Sequence, residues 1–377
     1  MAITGIICEY NPFHLGHKKQ FDIIHAADPD SAIVCLMSGN YVQRGMPAIF
    51  DKMTRAKAAV LCGADLVLEL PVTYALRSAE GFAAGGVEIL SRLCNTLCFG
   101  AEAADASLLM QLAKALLCPE FTDVLHKELD KGQSFPAARQ AALDAMGLDT
   151  SALSQPNTIL AVEYCKAILS QNSPLTPNVI LREGGYHDNV PDRENPSATA
   201  IRTTIEANGN WKSYIPEETF SCFETASVHH VQYAEHAILA RLRTMTDAEF
   251  AALPFGSEGL WRRLMHAARQ KATIEEIIHA TKAKRYTRTR IDRMLLCAYL
   301  GITEQAIVSA APYVRILAFN DKGRSILSNA KKSGAFVNIG ERQDDAMQLL
   351  EDRCDQLYGL FAQVPEPRID YRIYYQR

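Results

Sequence analysis

The sequence predicts an α/β protein: a parallel sheet covered on both faces, followed by a mainly helical C-terminal domain. Up to residue 205, short and almost wholly apolar segments alternate with segments of helical character. Buried parallel strands joined by crossover helices read this way. Each of several strand segments stops at a glycine or polar residue, as at Tyr10-Asn11, Ser38-Gly39-Asn40 and Gly100. Beyond about Glu206 the strand signals fade and amphipathic helices dominate. A chain of 377 residues suits two domains better than one. The expected division is 1–205 and 206–377.

Taken in order, Gly5 to Tyr10 forms the first strand and breaks at Asn11-Pro12. A helix restarts at His14 and carries Phe21, Ile23, Ile24 and Ala27 on one apolar face. Ala32 to Met37 is a second buried strand. Asp51 is placed to cap a helix that runs to Cys62 and stops at Gly63. Asp65 to Leu70 is a third strand, closed by Pro71. A helix from Glu80 to Leu93 leads to a strand at Thr96 to Phe99. Asp105 to Ala145 is helical and amphipathic, an insertion or cover. Gln155-Pro156-Asn157 opens another helix with proline in its first turn. Asn178 to Leu181 is a further strand, ending in Arg182-Glu183-Gly184-Gly185. In the second part, helices are expected at Tyr233–Met245, Gly259–Ala272 and Thr273–Ala280. A strand at Tyr313–Phe319 precedes a helix through Lys331 and a last helix from Gln343 to Leu360. The Tyr- and Arg-rich tail to Arg377 is expected to pack back on the body.

Composition narrows the function classes. A formal charge of −4 excludes a uniformly basic protein and leaves room for a local basic face. No apolar run is long enough to cross a bilayer, and Met1-Ala2-Ile3 leads into a strand rather than a secretory signal. The ten cysteines are scattered singly, and Cys94 and Cys98 lack partners at metal-ligand spacing. They read as buried thiols of a reducing, cytoplasmic compartment.

In such sheets ligands sit at the C-terminal strand edge. The stretch Gly5-Ile6-Ile7-Cys8-Glu9-Tyr10-Asn11-Pro12-Phe13-His14-Leu15-Gly16-His17 puts unpaired amides and the positive end of a helix dipole there. Phosphate is the natural guest, and His14 and His17 can donate hydrogen bonds to it as charge builds. Lys18 and Lys19 in the first turn could reach phosphate or stand in solvent. The Ser38–Gly45 loop carries small residues, amides and Arg44. Gly100 either lets a nucleoside lie on the backbone or merely turns the chain. Asn157 could bond a base or a carboxylate, or simply open its helix. Arg182 beside two glycines suits a phosphate. Ser197, Thr199 and Arg202 supply hydroxyls, amides and a guanidinium fork at a second helix start. In the helical part, Lys282, Lys284, Arg285, Arg288, Arg290 and Arg293 surround Tyr286 in an otherwise acidic chain, a footprint for nucleic acid. Acidic metal ligands are not evident, so Mg²⁺ is expected to arrive with the phosphate ligand, held mainly by its oxygens.

His14-Leu15-Gly16-His17 resembles the HxGH signature of the nucleotidyltransferase superfamily. Ser197-Ala198-Thr199-Ala200-Ile201-Arg202 resembles that superfamily's second, phosphate-binding signature. With Ser38-Gly39-Asn40-Tyr41-Val42-Gln43-Arg44-Gly45, Tyr286-Thr287-Arg288-Thr289-Arg290-Ile291-Asp292-Arg293 and Leu317-Ala318-Phe319-Asn320-Asp321-Lys322-Gly323, the whole chain looks like the tRNA(Met) cytidine acetate ligase family. The resemblance implies an ATP-dependent ligase that forms acetyl-adenylate and acetylates the wobble cytidine of elongator tRNA(Met). It implies ATP contacts at Ile7, Cys8, Glu9, Tyr10, Asn11, Pro12, Phe13, His14, Leu15, Gly16, His17, Lys18, Lys19 and Gln20, and at Gly100, Asn157 and Arg182. Two other readings stay open: a nucleotidyltransferase acting on a phosphorylated metabolite, and a non-catalytic RNA-binding protein.

Overall fold

β1 (Ile3–Cys8) lies inside the sheet, and the chain leaves it in opposite directions. In this computed structural model the described residues are 2–133, 135–182, 196–283, 285–308, 310–311, 313–330, 336–338, 346–367 and 371–377. On one side of β1 come β2 (Ala32–Ser38) and, past the short hairpin β3 (Tyr41–Val42) and β4 (Met46–Pro47), β5 (Leu66–Leu70). On the other side come β6 (Thr96–Ala101) and β7 (Thr176–Leu181). β8 (Val314–Phe319), β9 (Phe336–Asn338) and β10 (Tyr374–Tyr375) complete the sheet, whose order is β10-β8-β5-β2-β1-β6-β7, with β9 also paired to β8. β1 is parallel to β2, with Ile7 opposite Leu36 and Cys8 opposite Met37.

Alternation along the strands explains the burial of both faces. Ile7, Leu36 and Leu68 pack on one side with Val87 and Leu90 of helix Ala79–Leu90 and with Ala161 and Cys165 of helix Pro156–Ser170. Ile6, Cys8, Cys35 and Met37 face the other way, against Phe21 and Ile24 of helix Leu15–Ala27, helix Lys52–Leu61 and helix Ala198–Glu206. A further core joins the helices of the second part, through Ile238, Leu264, Ile277 and Met294, to Tyr41, Val72 and Leu76 of the first.

The sheet is mixed rather than wholly parallel, because β8 runs antiparallel to β5. A strand from the far end of the chain covers what would otherwise be an exposed edge. The contact is also ionic. Lys52 Nζ lies 2.8 Å from Glu69 and 2.7 Å from Asp355, and Arg315 reaches Glu69 at 2.9 Å, Glu351 at 3.0 Å and Asp355 at 3.2 Å. All five side chains are buried, and they tie β5 and β8 to helices Lys52–Leu61 and Ala346–Tyr358. The division near residue 206 stands as a proposal about where strand–helix alternation gives way to helices; the sheet itself takes strands from both sides of it.

Candidate nucleotide-binding cleft

The strand order reverses at β1, so the loops after β1 and β6 part and open a crevice at the strands' C-terminal edge. A cleft of about 300–1,000 Å³ is an ordinary size for a small-molecule site, and this one holds ≈ 630 Å³.

Its floor is the turn into helix Leu15–Ala27. His14 is the N-cap, and its Nδ1 accepts the Gly16 N–H at 3.1 Å. His17 Nδ1 in turn accepts the His14 N–H at 3.2 Å. The pair is a capping box built from imidazoles, and the rings stack with centroids 3.6 Å apart. A β-carbon on Gly16 would stand 3.0 Å from the His14 ring, so a larger residue would press on the imidazole and shift it. With Nδ1 of each ring committed as an acceptor, the neutral proton sits on Nε2, which is then a donor. Burial, followed by Arg182 and Arg202, lowers His14 to about 3. Burial, His14 and Arg182 hold His17 well below its ordinary value. Both imidazoles are therefore neutral donors at pH 7.

Neighbouring residues fix this turn. Tyr10 adopts a left-handed φ of 44° and packs its ring 4.9 Å from Phe13 and 4.7 Å from His17. Asn11 Oδ1 accepts the Ile49 N–H at 2.7 Å. Of the stretch singled out in the sequence, Ile7, Cys8, Glu9, Tyr10, Asn11, His14, Gly16, His17, Lys19 and Gln20 line the cleft. Pro12, Phe13, Leu15 and Lys18 do not: Phe13 is core, and Lys18 turns to Asp22 at 3.5 Å.

The walls come from five other junctions. Gly100, the last residue but one of β6, has nothing nearer than 3.9 Å to its missing β-carbon, so the strand end is left open above it. Asn157 donates to Glu102 at 2.6 Å, and Glu102 also accepts the Thr158 N–H at 2.8 Å. Glu102 thus caps helix Pro156–Ser170 and orients the Asn157 amide, a partnership that the sequence reading missed. Arg182 follows β7, its N–H bonded to Ala101 O at 2.9 Å. Arg202 donates to Asn11 O at 2.7 Å and to Thr199 Oγ1 at 3.0 Å, while the Ser197 side chain makes no capping bond. Glu183, Gly184, Gly185 and Asn195 lie outside the described residues.

The fifth junction was not expected. Thr289 and Arg293 of helix Arg288–Leu300 line the same cleft, with Val42, Gln43, Arg44 and Met46 of the β3–β4 hairpin. Gly45 at φ +83° rests on that helix so closely that a β-carbon would lie 2.4 Å from Arg293 N. Arg293, read as part of the basic footprint, is buried over the Phe255 ring. Other cations of that stretch are also engaged. Arg288 holds Asp292 at 2.9 Å and Glu275, and Arg290 donates to Phe255 O at 2.9 Å and Ser257 at 2.8 Å. Lys282 and Arg285 remain exposed, and Lys284 lies outside the described residues. Period-based reading of a helix gives its buried face but not the distant hairpin that it meets.

The profile of a family described as HIGH Nucleotidyl Transferase matches residues 1–370. A Clostridium novyi (strain NT) protein named tRNA(Met) cytidine acetate ligase is 35% identical over 93% of this chain and 93% of its own. A Clostridium perfringens protein of the same name is 34% identical over 99% of this chain and 98% of its own. Among solved structures, apo Thermotoga maritima TmcAL superposes with a TM-score of 0.90 at 30% identity, covering 100% of both chains. The same protein bound with alpha-thio ATP gives 0.88 at 30% identity, again over 100% of both. No described helix is long and apolar enough to cross a membrane. Alike in sequence over more than nine-tenths of its length and in fold over all of it, the chain belongs to the tRNA(Met) cytidine acetate ligase family of HIGH nucleotidyl transferases.

Proposed function

We propose that this protein is a cytoplasmic, ATP-dependent ligase that acetylates N4 of the wobble cytidine of elongator tRNA(Met). The cytosine amine is conjugated into its ring and too weak a nucleophile for free acetate. Acetate is therefore first activated: its carboxylate oxygen attacks the α-phosphorus of ATP, pyrophosphate leaves, and acetyl-adenylate results. Charge on the phosphate oxygens is the main obstacle, and donors already aimed at it are the most effective remedy. The observation that carries the reading is the stacked, neutral pair His14–His17, each with Nε2 as its donor, at a helix start beside Arg182 and Arg202.

In this reading His14 and His17 act at the α-phosphate, and Ser197, Thr199 and Arg202 hold the rest of the triphosphate. Gly100 and Asn157 receive the nucleoside end and Arg182 adds positive charge at the phosphates, with the remaining residues of Ile7–Gln20 shaping or lining the seat. Mg²⁺ comes with ATP, held mainly by phosphate oxygens. Lys282, Lys284, Arg285, Arg288 and Arg290 form the tRNA side, on which the exposed Lys282 and Arg285 bear the larger share, while Arg293 of the same segment serves the cleft.

The test is mass spectrometry of nucleosides from total tRNA incubated with protein, ATP and isotopically labelled acetate. Labelled N4-acetylcytidine is the expected product. Pyrophosphate release that needs a phosphorylated metabolite and no tRNA would point to a metabolite nucleotidyltransferase. Binding of tRNA with no pyrophosphate release would point to a non-catalytic RNA-binding protein.

A further inference from the structure

Acyl transfer has a second half, and it needs a proton acceptor. When an amine attacks an acyl-adenylate, the nitrogen gains positive charge and must lose a proton before a neutral amide remains. Among the described residues lining the cleft, Glu9 is the only carboxylate. The other titratable groups there are unsuited. His14 and His17 use their Nδ1 lone pairs on backbone amides and present Nε2–H, so neither has a free lone pair. Tyr10, Tyr164 and Cys8 are each pushed well above their ordinary values, first by burial, and stay protonated. Lys19 and the arginines are cations.

Glu9 is also well placed. It follows β1 directly, and its Oε1 accepts the Gln43 N–H of the β3–β4 hairpin at 2.7 Å. No described residue donates to Oε2. The same hairpin seats Gly45 on helix Arg288–Leu300, from which Thr289 and Arg293 line the cleft. The carboxylate thus sits where the nucleotide cleft meets the helical part that carries the basic segment, the side from which a nucleoside on a polynucleotide would approach.

We propose that Glu9 is the general base of the acyl-transfer step, a role that rests on the ligase reading above. The N4 lone pair of the cytidine attacks the acetyl carbonyl carbon and the C–N bond forms. The N4 proton passes to Glu9 Oε2. The bond from the carbonyl carbon to the phosphate oxygen breaks, and its electron pair leaves on AMP. Glu9 then returns its proton to solvent. Burial raises the Glu9 carboxyl above the ordinary range, offset by the Gln43 N–H and by Arg202, Arg44 and Arg55. Tyr164 faces it from helix Pro156–Ser170. A raised carboxyl is better matched to accepting a proton near neutrality.

The test separates the half-reactions in the full-length protein: acetate-dependent ATP–pyrophosphate exchange for adenylation, and single-turnover acetyl transfer to tRNA. For Glu9→Gln, transfer should fall by roughly 10²–10⁴-fold, the range of general-base catalysis. The fall in transfer should be much larger than any fall in exchange. The wild-type transfer rate should rise with pH through a carboxyl titration above the ordinary range, and Glu9→Gln should lose that limb. Glu9→Asp should keep the limb at a reduced rate, which a purely structural role would not produce. Equal losses in exchange and transfer, or an unchanged transfer rate, would overturn the assignment. A wild-type protein that exchanges pyrophosphate but never acetylates tRNA would instead overturn the ligase reading.

Discussion

Two groups of buried charge lie on the same sheet, one at β5 and β8 and the other beyond β1, β6 and β7, and they are built in opposite ways. Around Glu69, every charge has a counter-charge within hydrogen-bond distance: Lys52 and Arg315 against Glu69, Glu351 and Asp355. In the cleft, the bonds that Arg202 makes go to neutral oxygens, and the two histidines are kept uncharged. A buried charge satisfied from within holds elements together. Donors left without an internal anion are available to an external one. The contrast locates the binding site better than a count of charged residues does.

The largest expected effect lies in the closed network. Lys52→Met leaves Arg315 alone against three buried carboxylates and should cost about 3–5 kcal/mol of unfolding free energy, read from urea melts. Pyrophosphate exchange per folded molecule should be unchanged; a small stability loss would mean that the network is wetter than its burial indicates. His17→Ala should behave in reverse. Adenylation should fall about 10²–10³-fold, the cost of one transition-state donor, with only about 1 kcal/mol of stability lost from the missing cap. Undiminished exchange would remove His17 from the chemistry.

The two regions should also titrate in opposite directions. Burial, against the pull of Arg315, raises Glu351 from 4.5 to about 7. Its contribution to stability is full below pH 4.5 and is lost as pH rises through about 7. His14 is lowered from 6.5 to about 3, so its contribution is full above pH 6.5 and is lost on acidification toward 3. Each slope is at most about 1.4 kcal/mol per pH unit. Urea midpoints from pH 4.5 to 8 should show Glu351→Gln removing the alkaline-side loss and His14→Gln the acid-side loss. Parallel profiles for both variants would erase the distinction. The smallest effect belongs to the surface. Arg285→Ala should weaken tRNA binding and lower the salt slope by about 1, as for one phosphate contact. Arg288→Ala should weaken binding less, because Glu275 and Asp292 already engage it.

Much of this arrangement was legible from local chemistry. Apolar strand segments ending in Asn11-Pro12, Ser38-Gly39 and Gly100 placed a ligand edge, and His14-Leu15-Gly16-His17 at a helix start indicated phosphate. These signals are short-range: period, cap and turn residue all act within a few positions. Glu102 with Asn157 was less visible, since the pairing joins the residue after β6 to a helix start 55 residues further along the chain.

The sequence by itself determined the alternation of strands and helices and the donors at two helix starts, because backbone geometry and hydrophobic period are local properties. Only the tertiary structure decided that β8 would close the sheet against β5, that Arg293 would turn into the cleft rather than to solvent, and that both imidazoles would be neutral. Each of these depends on partners brought together across long sequence separations, where desolvation and pairing are set by the packed fold.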